Sequence, residues 1–232
     1  MKTGWQTTTL GDICQLEPGK PLAQGDRKVT GPYPVYGADG EIARTGKYYF
    51  DKPTVIVGRK GTVGELNLTE KRFWPLEDTY FATFDEEQYD LQFLYYLLLT
   101  VDLHSFAKGA KPHLNRSEIY AQAVMVPALP EQQRIGSILS TAFTGIELAH
   151  GNTAQNLQSA RALCDSHPHG AGAKTAASRD IVGRTPGIPG ERERTEALCK
   201  QTQHLESLCR RKLVALDELR KLLLQRAFVG EL

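Results

Sequence analysis

The hydrophobic pattern changes character near residue 130. Before it, short runs rich in β-branched and aromatic residues stand between Gly, Pro and Asp punctuation. Tyr33-Pro34-Val35-Tyr36-Gly37, Lys47-Tyr48-Tyr49-Phe50, Thr54-Val55-Ile56-Val57, Glu65-Leu66-Asn67-Leu68 and Thr79-Tyr80-Phe81-Ala82-Thr83-Phe84 predict strands. Leu and Tyr recurring on several faces over Leu91–Leu103 predict a buried helix. A shorter helix begins at Asn115, whose side chain can cap it, with Glu118 three residues on to complete a capping box. Val124-Met125-Val126 reads as a returning strand.

Beyond Pro127-Ala128-Leu129-Pro130 the period lengthens. Two prolines stiffen the connection, and Pro130 suits the first turn of a helix. Ile135, Ile138, Ala142, Ile146, Ala149, Thr153, Leu157, Ala160 and Cys164 recur by threes and fours, which is one face of a long straight helix. Thirty-odd residues at about 1.5 Å rise make an arm on the order of 50 Å. A second such helix runs from about Arg192 to Phe228 on Leu198, Thr202, Leu205, Cys209, Leu213, Leu216, Leu219, Leu223 and Ala227, with Gly230 as its stop. Each helix alone would expose its stripe, so the two are expected to pair, as an antiparallel hairpin or across a dimer. Between them, residues 166–194 hold five Gly and three Pro but no Leu, Phe, Tyr or Trp. That composition lacks the material for a core and predicts a flexible linker. The expected architecture is α+β: a strand-rich domain over 1–130, a first spacer helix over 131–165, the linker over 166–194 and a second spacer helix over 195–232.

Composition narrows the classes. Hydrophobic residues make up 41% and charged residues 24%, so wholesale disorder is excluded. The longest apolar stretch, Leu91 to Val101, falls well short of the roughly 20 residues that cross a bilayer. With no signal-peptide pattern, the expectation is a soluble cytoplasmic chain without a membrane partner. Net charge is +1, and residues 1–130 carry 14 basic against 16 acidic side chains. A nucleic-acid site must therefore be a local patch or be completed by a partner. Cys14, Cys164, Cys199 and Cys209 show no C-x-x-C spacing and read as reduced thiols.

Candidate chemistry is mostly eliminated. Gly58-Arg59-Lys60-Gly61-Thr62-Val63-Gly64 lets backbone approach a phosphate beside two cations, yet it has neither dinucleotide nor P-loop spacing. Asp26-Arg27-Lys28 with Asp12 upstream faintly imitates the Asp…Asp-x-Lys metal site of nucleases, but a solvated charge run in a Gly/Pro-rich loop explains it as well. No Asn-Pro-Pro-Tyr or Asp-Pro-Pro-Tyr string marks an amino-methyltransferase. His167-Pro168-His169 has no nearby acidic or cysteine ligands, and nucleophile-elbow signatures are absent. No catalytic, metal or cofactor residue is assigned. Aromatics interleaved with cations do accumulate in the first domain, and Lys108-Gly109-Ala110-Lys111 adds a second small basic loop.

The sequence resembles the specificity (S) subunits of type I restriction–modification systems. The resemblance lies in Trp5 with Thr9-Leu10-Gly11-Asp12-Ile13, in the Tyr33–Gly37 and Gly58–Gly64 strings, and in Phe73-Trp74-Pro75. Its most specific stretch runs from His113-Leu114-Asn115-Arg116-Ser117-Glu118-Ile119 through Pro127-Ala128-Leu129-Pro130-Glu131-Gln132-Gln133-Arg134-Ile135. Asn156–Arg161, Arg211–Leu219 and Phe228-Val229-Gly230-Glu231-Leu232 add the far ends of the spacer helices. The resemblance implies a non-catalytic subunit that reads double-stranded DNA through target-recognition domains. Spacer helices would also seat the modification (methyltransferase) subunits, and a restriction subunit would join the complex. S-adenosylmethionine, ATP and Mg would belong to those partners. This chain has one recognition domain where a full subunit has two. It therefore reads as a half-sized subunit that acts as a homodimer, or as the product of a deletion or frame change within 166–194.

On this reading Arg59 and Lys60, with Arg44, Lys47, Lys108 and Lys111, contact phosphates or guanines, and Tyr36 and Tyr48 pack or stack nearby. The competing readings are a stand-alone metal-dependent DNA endonuclease that depends on Asp26, and a truncated remnant that keeps only the helical scaffold.

Overall fold

Thr54-Val55-Ile56-Val57-Gly58 is buried along its whole length, which decides its place at the centre of a sheet. A computed structural model describes residues 4–108, 113–166 and 191–232. Lys111, His167-Pro168-His169 and nearly all of the 166–194 segment lie outside the described residues, as do the side chains of Lys108, Cys164 and Cys199. In chain order the elements are β1 (Gln6–Thr9), α1 (Leu10–Ile13), β2 (Cys14–Pro18), β3 (Tyr33–Gly37), β4 (Gly40–Thr45), β5 (Thr54–Gly58), β6 (Leu66–Thr69), β7 (Trp74–Pro75) and β8 (Thr79–Phe84). They continue with α2 (Leu91–Thr100), β9 (Ala107–Lys108), β10 (His113–Leu114), α3 (Arg116–Tyr120), β11 (Ala123–Val126), α4 (Leu129–Ser166) and α5 (Glu191–Val229). The chain forms two compact units, Met1–Thr141 with Leu223–Leu232, and Ala142–Leu222.

In the first unit, β2, β8, β5 and β6 form a four-stranded antiparallel sheet in that order. A second sheet runs β4-β3-β7, with β7 parallel to β3. Ile56, Phe73 and Phe81 make one core cluster, against which Phe50 and Tyr36 pack. The rings meet edge-on or tilted, Phe50 4.7 Å from Phe81 and Tyr36 5.8 Å from Phe73, as aromatic quadrupoles prefer. Leu22, Val35 and Leu76 form another cluster under Trp74 and Ala43.

The predicted strand over Lys47–Phe50 is not one. Only Phe50 makes a bridge, to Phe73, while Lys47, Tyr48 and Tyr49 are exposed. Its aromatic residues pack around a sheet edge instead of alternating across a ladder. Conversely, β4 forms from Gly-Glu-Ile-Ala-Arg-Thr, a weak strand former, because Gly37 and Gly40 pair across a two-residue turn. Gly40, the first residue of β4, takes up a positive φ of 122° that glycine allows.

Asn115 caps α3 as expected, its Oδ1 accepting from the Ser117 N–H at 3.1 Å. Its Nδ2 donates to Glu118 Oε1 at 3.3 Å. Upstream, β1 pairs antiparallel with β11, Gln6 opposite Val126, which ties the N-terminal strand to the segment leading into α4.

The start of α4 is locked by one side chain. Gln132 is 1% exposed. Its Nε2 donates to the carbonyls of Gln88 (3.0 Å) and Pro127 (2.9 Å), and its Oε1 accepts from the Asp90 N–H (3.0 Å). Asp90 in turn caps α2 by accepting from the Phe93 N–H at 2.8 Å. Gly136 lies against this corner: a Cβ there would stand 2.9 Å from Asp90 Oδ1. Ile135 and Leu139 are fully buried beyond it, and Phe228, near the end of α5, stacks on Phe93 at 5.3 Å.

In the second unit the helices pair antiparallel. Arg220 lies over the Phe143 ring at 4.9 Å, and Arg161 approaches Glu206 at 3.9 Å, so rising numbers on α4 meet falling numbers on α5. The seam follows the predicted stripes except at single positions. Ile146, Thr153, Ala160, Thr202 and Cys209 are buried, but Leu205 is 45% and Leu219 42% exposed. Half-buried Glu206 and Arg220 take the seam positions next to them. Ile138 likewise faces outward, the buried face passing through Leu139 and Phe143. Small residues at the seam let the helices approach, while polar stems cover its edge.

Candidate nucleic-acid interface

The predicted site residues fall into two groups within the first unit. The first surrounds the β3–β4 hairpin. Arg44 on β4 pairs with Glu41 at 2.8 Å and donates to the Gly31 carbonyl at 3.2 Å. Lys47 pairs with Asp26 at 2.9 Å. Tyr48, 43% exposed, meets the Tyr33 ring edge-on at 5.1 Å and receives the Arg72 guanidinium at 4.9 Å. Tyr36 stands apart from these, packed half-buried on the Phe73 cluster. Exposed ion pairs of this kind are worth little to stability, so Arg44 and Lys47 can exchange their carboxylates for another anion at low cost.

The second group forms where the end of β5 meets β10. Gly58 must be glycine, since a Cβ there would lie 2.1 Å from the Thr62 carbonyl oxygen and 2.6 Å from that of Ala38. Gly61 and Gly64 have φ of 77° and 84°, and the Gly64 N–H returns to the Gly58 carbonyl at 2.8 Å. This closed loop holds Arg59 and Lys60 in place, both N–H groups donating to the Asp78 carbonyl at 2.8 and 3.2 Å. Lys60 bridges His113, and the Leu114 N–H donates to the Arg59 carbonyl at 3.2 Å. β9 then pairs Lys108 with His113. The backbones of Lys60 and Lys108, about fifty residues apart in sequence, are thus both paired to His113.

The Arg59 guanidinium lies over the Tyr80 ring at 5.0 Å, and so does that of Arg116 at 5.4 Å. Arg116 was missed as a site residue by sequence reasoning. Its only signal was its position in the His113–Ile119 stretch, and its approach to Tyr80 is a long-range contact. Among the described residues, no carboxylate pairs with Arg59, Lys60 or Arg116.

The aspartates of the nuclease reading are otherwise engaged. Asp12 accepts from the Thr9 hydroxyl at 2.6 Å and from the Thr9 N–H at 3.2 Å, which lowers its pKa, and Asp26 holds Lys47. Among the described residues no three His, Cys, Asp or Glu side chains gather as metal ligands, and no helix is long and apolar enough to cross a membrane.

A mixed-sheet unit, with cations that pair with no carboxylate among the described residues, followed in the chain by an antiparallel helix pair, is an α+β unit carrying a coiled coil. The sequence profile of the type I restriction modification DNA specificity domain matches residues 2–158, and the chain belongs to that family. No curated protein matches the chain. Among solved structures it is similar to a type I restriction–modification S subunit from M. genitalium, with a TM-score of 0.56 and 23% identity over 72% of this chain and 46% of that one. A structure of complex assembly and conformational transition in the type I R-M system gives 0.50 at 14% identity, over 100% of this chain and 47% of that one. These likenesses concern the fold. The chain spans about half the length of either structure.

Proposed function

We propose that this chain supplies DNA sequence recognition to a type I restriction–modification complex. Residues 1–130 bind one half of a split double-stranded DNA target, through Arg59, Lys60, Arg44, Lys47, Lys108 and Lys111, with Tyr36 and Tyr48 supporting them. The spacer helices, 131–165 and 195–232, seat the modification subunits, and 166–194 links them. The restriction subunit joins through the complex. A second copy of the chain restores the other half-site by two-fold symmetry, so that the target is palindromic. The chain is a non-catalytic cytoplasmic subunit; S-adenosylmethionine, ATP and Mg serve the partners that carry the adenine methyltransferase and deoxyribonuclease chemistry.

The observation that carries this reading is the specificity-domain match over residues 2–158. Arg59, Lys60 and Arg116, which pair with no carboxylate among the described residues, support it, since phosphate neutralisation needs free cations. The test is co-expression with a modification subunit, purification through a tag on this chain, and mass measurement. A complex of two S chains with two modification subunits that methylates one symmetric split site is expected. A folded chain that neither co-purifies nor prefers any DNA sequence would overturn the reading.

A further inference from the structure

Two guanidinium groups from different elements share one aromatic platform. Arg59 leaves the end of β5 and Arg116 opens α3, yet their guanidinium carbons lie 5.0 and 5.4 Å from the centroid of the same Tyr80 ring. The two cations can be no further apart than those distances laid end to end. Like charges so placed repel, and among the described residues no carboxylate lies within ion-pair distance of either. The contrast with Arg44 and Lys47, each answered by its own carboxylate, shows that this chain has acid to spare and does not use it here.

The platform is rigid. Tyr80 is 4% exposed, on a strand paired to both β2 and β5, so the ring cannot swing away from its cations. Arg116 is anchored further by its Nη1, which donates to the Leu16 carbonyl at 2.9 Å, while its side chain stays exposed. Arg59 is half-exposed, and its buried Nε makes no hydrogen bond among the described residues. Lys60 and His113, bridged through their backbones, stand exposed alongside. Planar forks held over an aromatic ring lose little freedom when they bind, and their donors match phosphate oxygens.

We propose that Arg59 and Arg116 form a two-guanidinium clamp on the phosphodiester backbone of duplex DNA, with Tyr80 as the positioning residue for both. This rests on the DNA-recognition reading above and specifies its chemistry. Arg116 becomes a DNA-contacting residue, and Arg59 fixes register on the backbone while other side chains read bases.

The test uses the full chain and two 30-base-pair duplexes of unrelated sequence, with affinity followed by fluorescence anisotropy over a range of salt. R116A is expected to weaken binding by roughly tenfold near 0.1 M salt. The slope of log affinity against log salt should fall by about one, equally on both duplexes. R59A should do the same, and R116K should recover most of the slope because it keeps the charge. Thermal melting of each variant checks that the fold is intact. If the wild-type chain binds neither duplex at low salt, the recognition reading fails and the clamp with it. If it binds and folded R116A shows unchanged affinity and slope, the clamp alone is overturned. A loss confined to one duplex would also overturn it, since that pattern belongs to a base contact.

Discussion

Gln132 offers the sharpest test of how the recognition unit holds its helix. Replacing it with alanine removes two donated hydrogen bonds and one accepted bond, at 2.9–3.0 Å, from a side chain that is 1% exposed. Each bond contributes roughly 0.5–1.5 kcal/mol net, and a buried acceptor left unpaired adds about 1–3 kcal/mol. Water can reach the Gln88 and Asp90 backbone groups, which are part-buried, so only the Pro127 carbonyl incurs the second term in full. Q132A should therefore cost about 3–7 kcal/mol, a large share of a domain's typical 5–15 kcal/mol. Trp5 and Trp74, the chain's two tryptophans, both lie in the unit that contains Gln132, so their fluorescence in a urea titration reports its unfolding. At a slope of about 1–3 kcal/mol per molar urea, the midpoint should fall by one molar or more. Q132E is expected to be at least as damaging at neutral pH, because a carboxylate cannot donate to two carbonyls. A Q132A midpoint equivalent to less than about 1 kcal/mol of destabilisation would refute the claim that this side chain locks α4 to α2.

Gly58 and Cys14 give two further outcomes. G58A places a Cβ on two backbone oxygens that cannot rotate away, so the Gly58–Gly64 loop must shift. A loss of about 2 kcal/mol or more is expected in thermal melting, and an unchanged melting temperature would show that the loop is not held as described. Burial pushes the Cys14 thiol up from 9.0 to about 12. Its neutral form is thus favoured by folding. The associated stability is whole below the unfolded thiol's value of 9.0 and declines as pH rises towards 12. Iodoacetamide at pH 8 should leave Cys14 unlabelled in the native chain and label it in urea, as read by peptide mass mapping; native labelling would contradict its burial.

Strong local signals were legible without the fold. Tyr33–Gly37 and Thr79–Phe84 are strands at the residues that β-branched and aromatic runs indicate, and Asn115 caps the helix it precedes. α4 starts within one residue of Pro130, where the missing N–H costs nothing. These features depend on neighbours a few residues away. By contrast, β4 owes its strand to pairing with β3, and Lys47–Phe50 fails as a strand because only Phe50 finds a partner. Strand formation at such positions is a property of the pair.

Helix phase shows the same division. A three-and-four spacing established that two long amphipathic helices exist, but several adjacent residues could satisfy it. Packing of α4 against α5 selected Glu206 and Arg220 over Leu205 and Leu219, because a seam is chosen by what the facing helix can accommodate. The candidate surface was half visible. Gly58–Gly64 stood out through glycines that their positive φ and close backbone contacts require, whereas Arg116 acquired its meaning only beside Tyr80 and Arg59. Sequence alone thus determined the strongly patterned strands, the helical arm and the basic loop, since these rest on local sterics and periodicity. Tertiary structure decided which cations stay unneutralised and which share a ring, because charge pairing and stacking are set by distances across strands that no linear spacing contains.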